Sequence, residues 1–223
     1  MSLGAFNQVI WKGVGDVDEC WIIATYWALV ATGVMPREAL PSIKKFRAAA
    51  GNPDRPGSTG GNNRQLVQAL NKLVPRAKVV KYDGGREGFV RMLKKGYVAS
   101  LSVRSWSLPT AYQFGYKGNH QISVFYQKGK YYIMNPLAVE GSPLMEINYN
   151  NLVFAANGLL KDGLMHAVFI KAKKQAVKKF IQKATAKPDL RPPEGKANYI
   201  NGDRARRFYL ATRPESDLGN LPS

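Results

Sequence analysis

The chain has 223 residues, 45% of them hydrophobic, and a formal net charge of +18. That size and apolar content suit one domain with a substantial core and an appendage. The longest apolar run, residues 21–31, is too short to cross a bilayer, and the lone Cys20 excludes an intramolecular disulfide and a multi-cysteine zinc cluster.

The charge is uneven. Residues 171–223 hold 13 Lys/Arg against 5 Asp/Glu, a net of +8, and the remaining 170 residues hold the other +10. Such a surplus favours anionic partners: nucleic acid, an anionic polymer, or an acidic protein surface. A solvated basic surface with no dedicated ligand has the same composition. The N-terminus, Met-Ser-Leu-Gly-Ala-Phe, has neither a charged n-region nor an apolar h-region. The expectation is synthesis in the cytoplasm without a signal peptide.

In chain order, residues 1–19 read as an extended lead-in. Residues 20–32 are apolar almost all round, the pattern of a helix buried in a core, and Gly33 supplies a stop. Residues 36–50 read as a more polar helix, interrupted early by Pro41. Residues 51–63 are a Gly/Pro/Asn loop. Residues 64–74 return to helical spacing, 78–82 form a short strand, and 86–95 form an amphipathic helix closed by Gly96. Residues 97–103, 121–126, 131–134 and 167–171 read as strands, with a hairpin turn at 127–130. Helices first and a mostly antiparallel sheet second predict an α+β fold with two packed layers. A basic amphipathic helix follows over about 173–184, then a Pro-rich linker and a polar tail. The predicted division is a domain over 1–172 and a basic helix plus extended tail over 173–223.

Cys20 opens the buried helix. A thiol there feels the positive end of the helix dipole, which favours the thiolate. His120 and His166 are the two histidines, and both begin strand-like runs. The hairpin at 127–130 returns the chain beside His120 and sets Asn135 near the strand's open end. There its oxygen can accept the imidazole N–H and fix the tautomer. His166 has no such hairpin partner after it and is the fallback base. There is no phosphate loop, no His-Glu-x-x-His and no metal-ligand cluster, so neither cofactor nor metal is expected. An inert buried thiol, a satisfied sheet histidine and a turn asparagine are the bland readings of Cys20, His120 and Asn135.

Cys-Trp opening a buried helix, a strand histidine and an Asn-Pro closing a hairpin together resemble the papain-like cysteine peptidases. The resemblance is closest to the C39-like branch of bacteria and phages. The segments Gly61-Asn-Asn-Arg-Gln-Leu-Val-Gln-Ala-Leu and Phe89-Val-Arg-Met-Leu-Lys-Lys-Gly-Tyr-Val are similar to landmarks of that family, and the likeness covers about residues 5–172. It implies that Cys20 is the nucleophile, His120 the proton carrier and Asn135 its orienter. It also implies that the Cys20 backbone N–H is one oxyanion donor, and that Trp21 packs beside the thiol. The family's second donor, a Gln about half a dozen residues before the cysteine, is replaced here by Val14; Gln8 is the nearest candidate. Asp16, Asp18 and Glu19 crowd the cysteine, and ionised carboxylates disfavour a thiolate. Trp21, Trp106, Tyr112 and Phe114 are candidates to line a substrate groove.

These readings imply a Cys-His-Asn thiol hydrolase acting on peptide or isopeptide bonds. By resemblance it would be phage-associated and act on cell-wall peptides. A virion or tail structural or adaptor protein that keeps the fold, contacting other virion proteins through its tail, is the alternative expectation. Nucleic-acid binding through the interleaved aromatic and basic residues of 204–209 is a third.

Overall fold

The computed structural model describes residues 19–52, 60–109, 119–136, 144–157 and 163–185. Helix α1 is Cys20–Ala31, and ten of its twelve residues are buried, as its all-round apolar sequence requires. The single helix predicted over 36–50 is instead a 3-10 turn at Arg37–Ala39 and a separate helix α2 at Ile43–Ala49. Pro41 disfavours helical backbone at Leu40, and Ser42 then caps α2 by accepting from the Lys45 N–H at 3.3 Å. Helix α3, Asn63–Leu73, opens with a reciprocal cap between Asn62 and Gln65, at 3.1 and 3.0 Å.

Strand β1 (Val79–Gly84), helix α4 (Arg86–Lys94) and strand β2 (Tyr97–Arg104) follow, and then a 3-10 turn at Ser105–Ser107. The remaining elements are β3 (Asn119–Gln127), β4 (Lys130–Met134), β5 (Leu144–Ile147), α5 (Tyr149–Asn157), β6 (Met165–Lys171) and α6 (Ala176–Thr185). The β3–β4 turn places Lys128 and Gly129 at φ 49° and 83°, the doubly left-handed geometry of a two-residue hairpin.

The six strands lie in the order β1-β6-β2-β3-β4-β5, and all five pairings are antiparallel. The α+β expectation holds, with one enlargement: both faces of the sheet are covered. On one face Val98, Phe125, Met134, Val168 and Ile170 join the core of α1, α2 and α3. On the other, Ala99, Leu101, Val103, Ile122, Val124 and Phe169 pack with Phe89 and Leu93 of α4 and Leu152 and Ala155 of α5. Helix α6 belongs to the first face, where Phe180 stacks on Phe125 at 5.6 Å and meets Trp27 edge-on at 6.3 Å. The described part of residues 173–223 thus shares the core of α1. Among the described residues, no helix is long and apolar enough to cross a membrane.

Helix α1 runs alongside β3 in the same direction. Ser123 of β3 donates to the Ala24 carbonyl at 2.5 Å, and Thr25 meets Ser100 of β2 at 3.2 Å. At its far end, the Thr32 carbonyl accepts from the Lys173 N–H just beyond β6, at 2.9 Å. The N-terminus of α1 therefore lies at the end of the sheet where β2 finishes, β3 begins and β4 finishes.

Candidate active site

Cys20 is the first residue of α1 and is half-buried. Four residues back from Ala24 is about 6 Å of helix, and three residues back from Ser123 is about 10 Å of strand. Cys20 and His120 therefore stand at the same end of the molecule. Asn135, the residue after β4, is at that end too.

The structure brings His120 and Asn135 into direct contact. The imidazole Nε2 lies 2.8 Å from the Asn135 Oδ1, and both residues are buried. An amide oxygen only accepts, so Nε2 carries the proton and Nδ1 holds the lone pair in the neutral ring. Burial lowers the His120 pKa to about 4, against the opposing pull of the Asn135 hydrogen bond. His120 is therefore neutral at pH 7, and its Nδ1 is out of contact with solvent.

Strand alternation refines this placement. Gln121 and Ser123 face α1, whereas His120 shares the opposite face with its register partner Val103 and with Ile122. His120 is the second residue of β3, so its ring lies at the rim of the sheet rather than beneath the helix. On the α1 side sits a polar network that sequence reasoning missed. The Gln121 amide donates to Ser100 at 3.1 Å and to Asn63 at 3.3 Å, and accepts from Ser102 at 3.0 Å. Thr25, which meets Ser100, also donates to the Trp21 carbonyl at 2.7 Å. The turn of α1 bearing Cys20 is thereby tied to the strand residue next to His120. The only sequence sign of this network is a few hydroxyl and amide residues within otherwise apolar runs.

His166 is the second residue of β6. It does have an orienter, which comes from β1 rather than from a following hairpin: its Nδ1 lies 2.8 Å from the Asp83 carboxylate. Lys81 binds the same carboxylate, and this contact first, with His166 contributing, holds the Asp83 carboxyl below its ordinary range. The pair occupies the same end of the sheet as His120.

Trp21 points into the core rather than into a groove. It is 1% exposed, edge-on to Phe46 at 5.8 Å, and Gly61 packs so closely that a Cβ there would come within 2.5 Å of the ring. Trp106 is 41% exposed beyond the end of β2, with the Arg104 guanidinium 4.9 Å from its ring. Gln8, Val14, Asp16, Asp18, Tyr112 and Phe114 lie outside the described residues, as does the tail beyond residue 185.

Glu19 is described, and the structure changes its meaning. Its buried carboxylate lies 4.0 Å from Nε of Arg47 on α2. Arg47 is fully buried and stands 5.8 Å over the Trp21 ring. The carboxylate nearest the thiol in sequence thus faces a cation. Its field is still felt locally: the Tyr26 phenol is raised first by burial and then by Glu19. Among the described residues, no group of three or more His, Cys, Asp or Glu is placed to hold a metal ion.

No family model and no curated protein matches the chain. A solved structure from Bacillus anthracis, described as a candidate C39-like peptidase, is similar at a TM-score of 0.45 and 14% identity. The similarity covers 70% of this chain and 91% of that one.

Proposed function

We propose that this chain is a thiol hydrolase of peptide or isopeptide bonds, with Cys20 as nucleophile, His120 as base and Asn135 as orienter. One observation carries the reading: the 2.8 Å His120–Asn135 bond lies at the end of the sheet where the N-terminus of the buried α1 places Cys20. In this reading the Nδ1 of His120 takes the thiol proton as Sγ attacks the carbonyl carbon. The Cys20 backbone N–H, in the first turn of α1, stabilises the oxyanion. The imidazolium returns its proton to the leaving amine, and water then hydrolyses the thioester.

Cell-wall peptide cross-links, cut in a phage-associated setting, are the substrates we propose. The resemblance of the Cys20, His120 and Asn135 pattern supports that choice, as does a charge of +18 suited to an anionic envelope. The test is release of peptide termini from purified peptidoglycan by the full chain and by Cys20→Ala. Equal release would end the enzymatic reading and leave a scaffold or adaptor role.

A second reading of the base rests on the His166–Asp83 bond, which gives His166 an orienter at the same end of the sheet. Loss of activity in His166→Gln, with activity kept in His120→Gln, would favour it.

A further inference from the structure

The end of the molecule opposite Cys20 has a charge pattern that the proposed hydrolysis does not use. Four chain segments converge there through backbone hydrogen bonds. The Lys171 N–H donates to the Lys78 carbonyl at 3.0 Å, the Ala172 N–H to Gly96 at 3.0 Å and the Lys173 N–H to Thr32 at 2.9 Å. These bonds gather Lys78 before β1, Lys94 and Lys95 at the end of α4, Lys171 at the end of β6, and Lys173 and Lys174 before α6. All six are exposed. Lys171 donates to the Lys95 carbonyl and lies 4.8 Å from the Tyr97 ring, which pins it in place. Among the described residues none of the six is in an ion pair, and the converging segments contribute no carboxylate.

A structural role accounts for only part of this. The C-termini of α1 and α4 end here, and each helix dipole is equivalent to roughly half a negative charge. Two such ends, less the positive N-terminus of α6, offset about half of one lysine's charge. The rest is an uncompensated cationic pole held at fixed spacing by the sheet and the turns, so no ordering of a flexible segment is needed to present it.

We propose that this pole is a docking surface for the phosphate backbone of duplex DNA. The residue types decide among anionic partners. The six basic side chains are all lysines, which act as point charges on phosphates, contacts that carry no sequence information. Binding is therefore independent of sequence. A single strand calls for aromatic platforms, but the aromatic residue here, Tyr97, is buried beneath Lys171. Insertion into an anionic membrane calls for exposed apolar residues, but the large ones among the described residues, Trp106, Phe154 and Leu164, belong to none of these segments.

The experiment measures binding of the full chain to a fluorescent 20-base-pair DNA duplex across a salt series, beside two four-site variants. One reverses charge at the pole: Lys94→Glu, Lys95→Glu, Lys173→Glu and Lys174→Glu. The other does so elsewhere: Lys44→Glu, Lys45→Glu, Arg64→Glu and Arg86→Glu. Neutralising about five phosphates predicts a log–log salt slope of roughly −4.5. The pole variant should lose most of that slope and at least about 100-fold in affinity at moderate salt, while the control loses about tenfold or less. Equal losses in the two variants would overturn the proposal. So would tighter binding to a single strand of the same length or to phosphatidylserine vesicles. Should the pole variant fail to fold, lysine acetylation of the wild-type chain with and without duplex decides the matter. Protection must fall on Lys94, Lys95, Lys173 and Lys174, and protection confined to other lysines counts against the pole. None of these readouts depends on hydrolytic activity.

Discussion

His120 and His166 share a level along the sheet but differ in face and in environment. Each is the second residue of a strand, each lies at the same end of the sheet, and each has a ring nitrogen 2.8 Å from a side-chain oxygen. His120 is 3% exposed and its acceptor is a neutral amide. The acceptor of His166 is a carboxylate that is 35% exposed and shared with Lys81. An orienting hydrogen bond therefore does not by itself mark a catalytic base. Desolvation with a neutral partner keeps the first imidazole unprotonated at neutral pH. The second sits in a solvated charge cluster, where a proton abstracted from a substrate would compete with water and with two neighbouring charges.

The largest predicted effect tests that contrast directly. Cys20→Ala and His120→Gln should each reduce peptide cleavage by about 10⁴-fold or more, because nucleophile and base act as one unit. His166→Gln should leave the rate within a few-fold. A reversed order would move the base to β6 and make the neutral pair a packing feature.

A second prediction concerns pH and stability. With the His120 pKa lowered to about 4 in the folded chain and near 6.5 in the unfolded one, the unfolded chain binds more protons between those values. Stability is therefore complete above about pH 6.5 and falls as the solution is acidified towards pH 4. The loss approaches about 3 kcal/mol, because each tenfold difference in proton affinity between the two states is worth about 1.4 kcal/mol. Asp83 acts in a different window. Its carboxyl is held below the ordinary 3.8, so its contribution is present above that value and is lost in stronger acid. Urea melts from pH 7 to pH 4 should show the His120 slope in wild type and lose it in His120→Gln. A slope that persists in the variant would assign it to other groups.

Exchanging the partner narrows the cause. In Asn135→Asp the buried acceptor becomes a carboxylate, as at His166. Opposite charge at hydrogen-bond distance should raise the proton affinity of His120 by roughly 10- to 1,000-fold. Histidine proton chemical shifts followed through a pH titration measure this. An unmoved His120 would mean that burial alone sets its protonation.

Local sequence made one pair legible and hid the other. Asn135 follows His120 by fifteen residues through a hairpin with a recognisable turn, so the pairing could be read from the chain. Asp83 and His166 are 83 residues apart and meet only because β6 returns between β1 and β2. No periodicity in the sequence specifies that insertion. The same reason hid the second helical layer: α5 is a short Asn-rich helix capped by the Asn148 side chain, and the edge strand β5 has only four residues. Helix α1 was legible because all of its faces are apolar, but the partner of Glu19 was not. Arg47 lies in a polar-looking helix, and nothing in that pattern shows a guanidinium turned wholly inward.

The smallest effect closes the comparison. Asn135→Ala leaves a buried imidazole N–H without its acceptor, which costs about 1–3 kcal/mol. Asp83→Asn keeps an oxygen for His166 and removes only a solvated charge, so its cost should stay within about 1 kcal/mol. The two losses should also differ in salt dependence. Ions screen the exposed cluster but do not reach the buried pair, so raising salt should shrink the Asp83 effect and leave the Asn135 effect unchanged. Denaturant melts of both variants at low and high salt provide the measurement. If Asp83→Asn proved the costlier change, or Asn135→Ala the salt-sensitive one, the two equal bond lengths would have to be read the other way round.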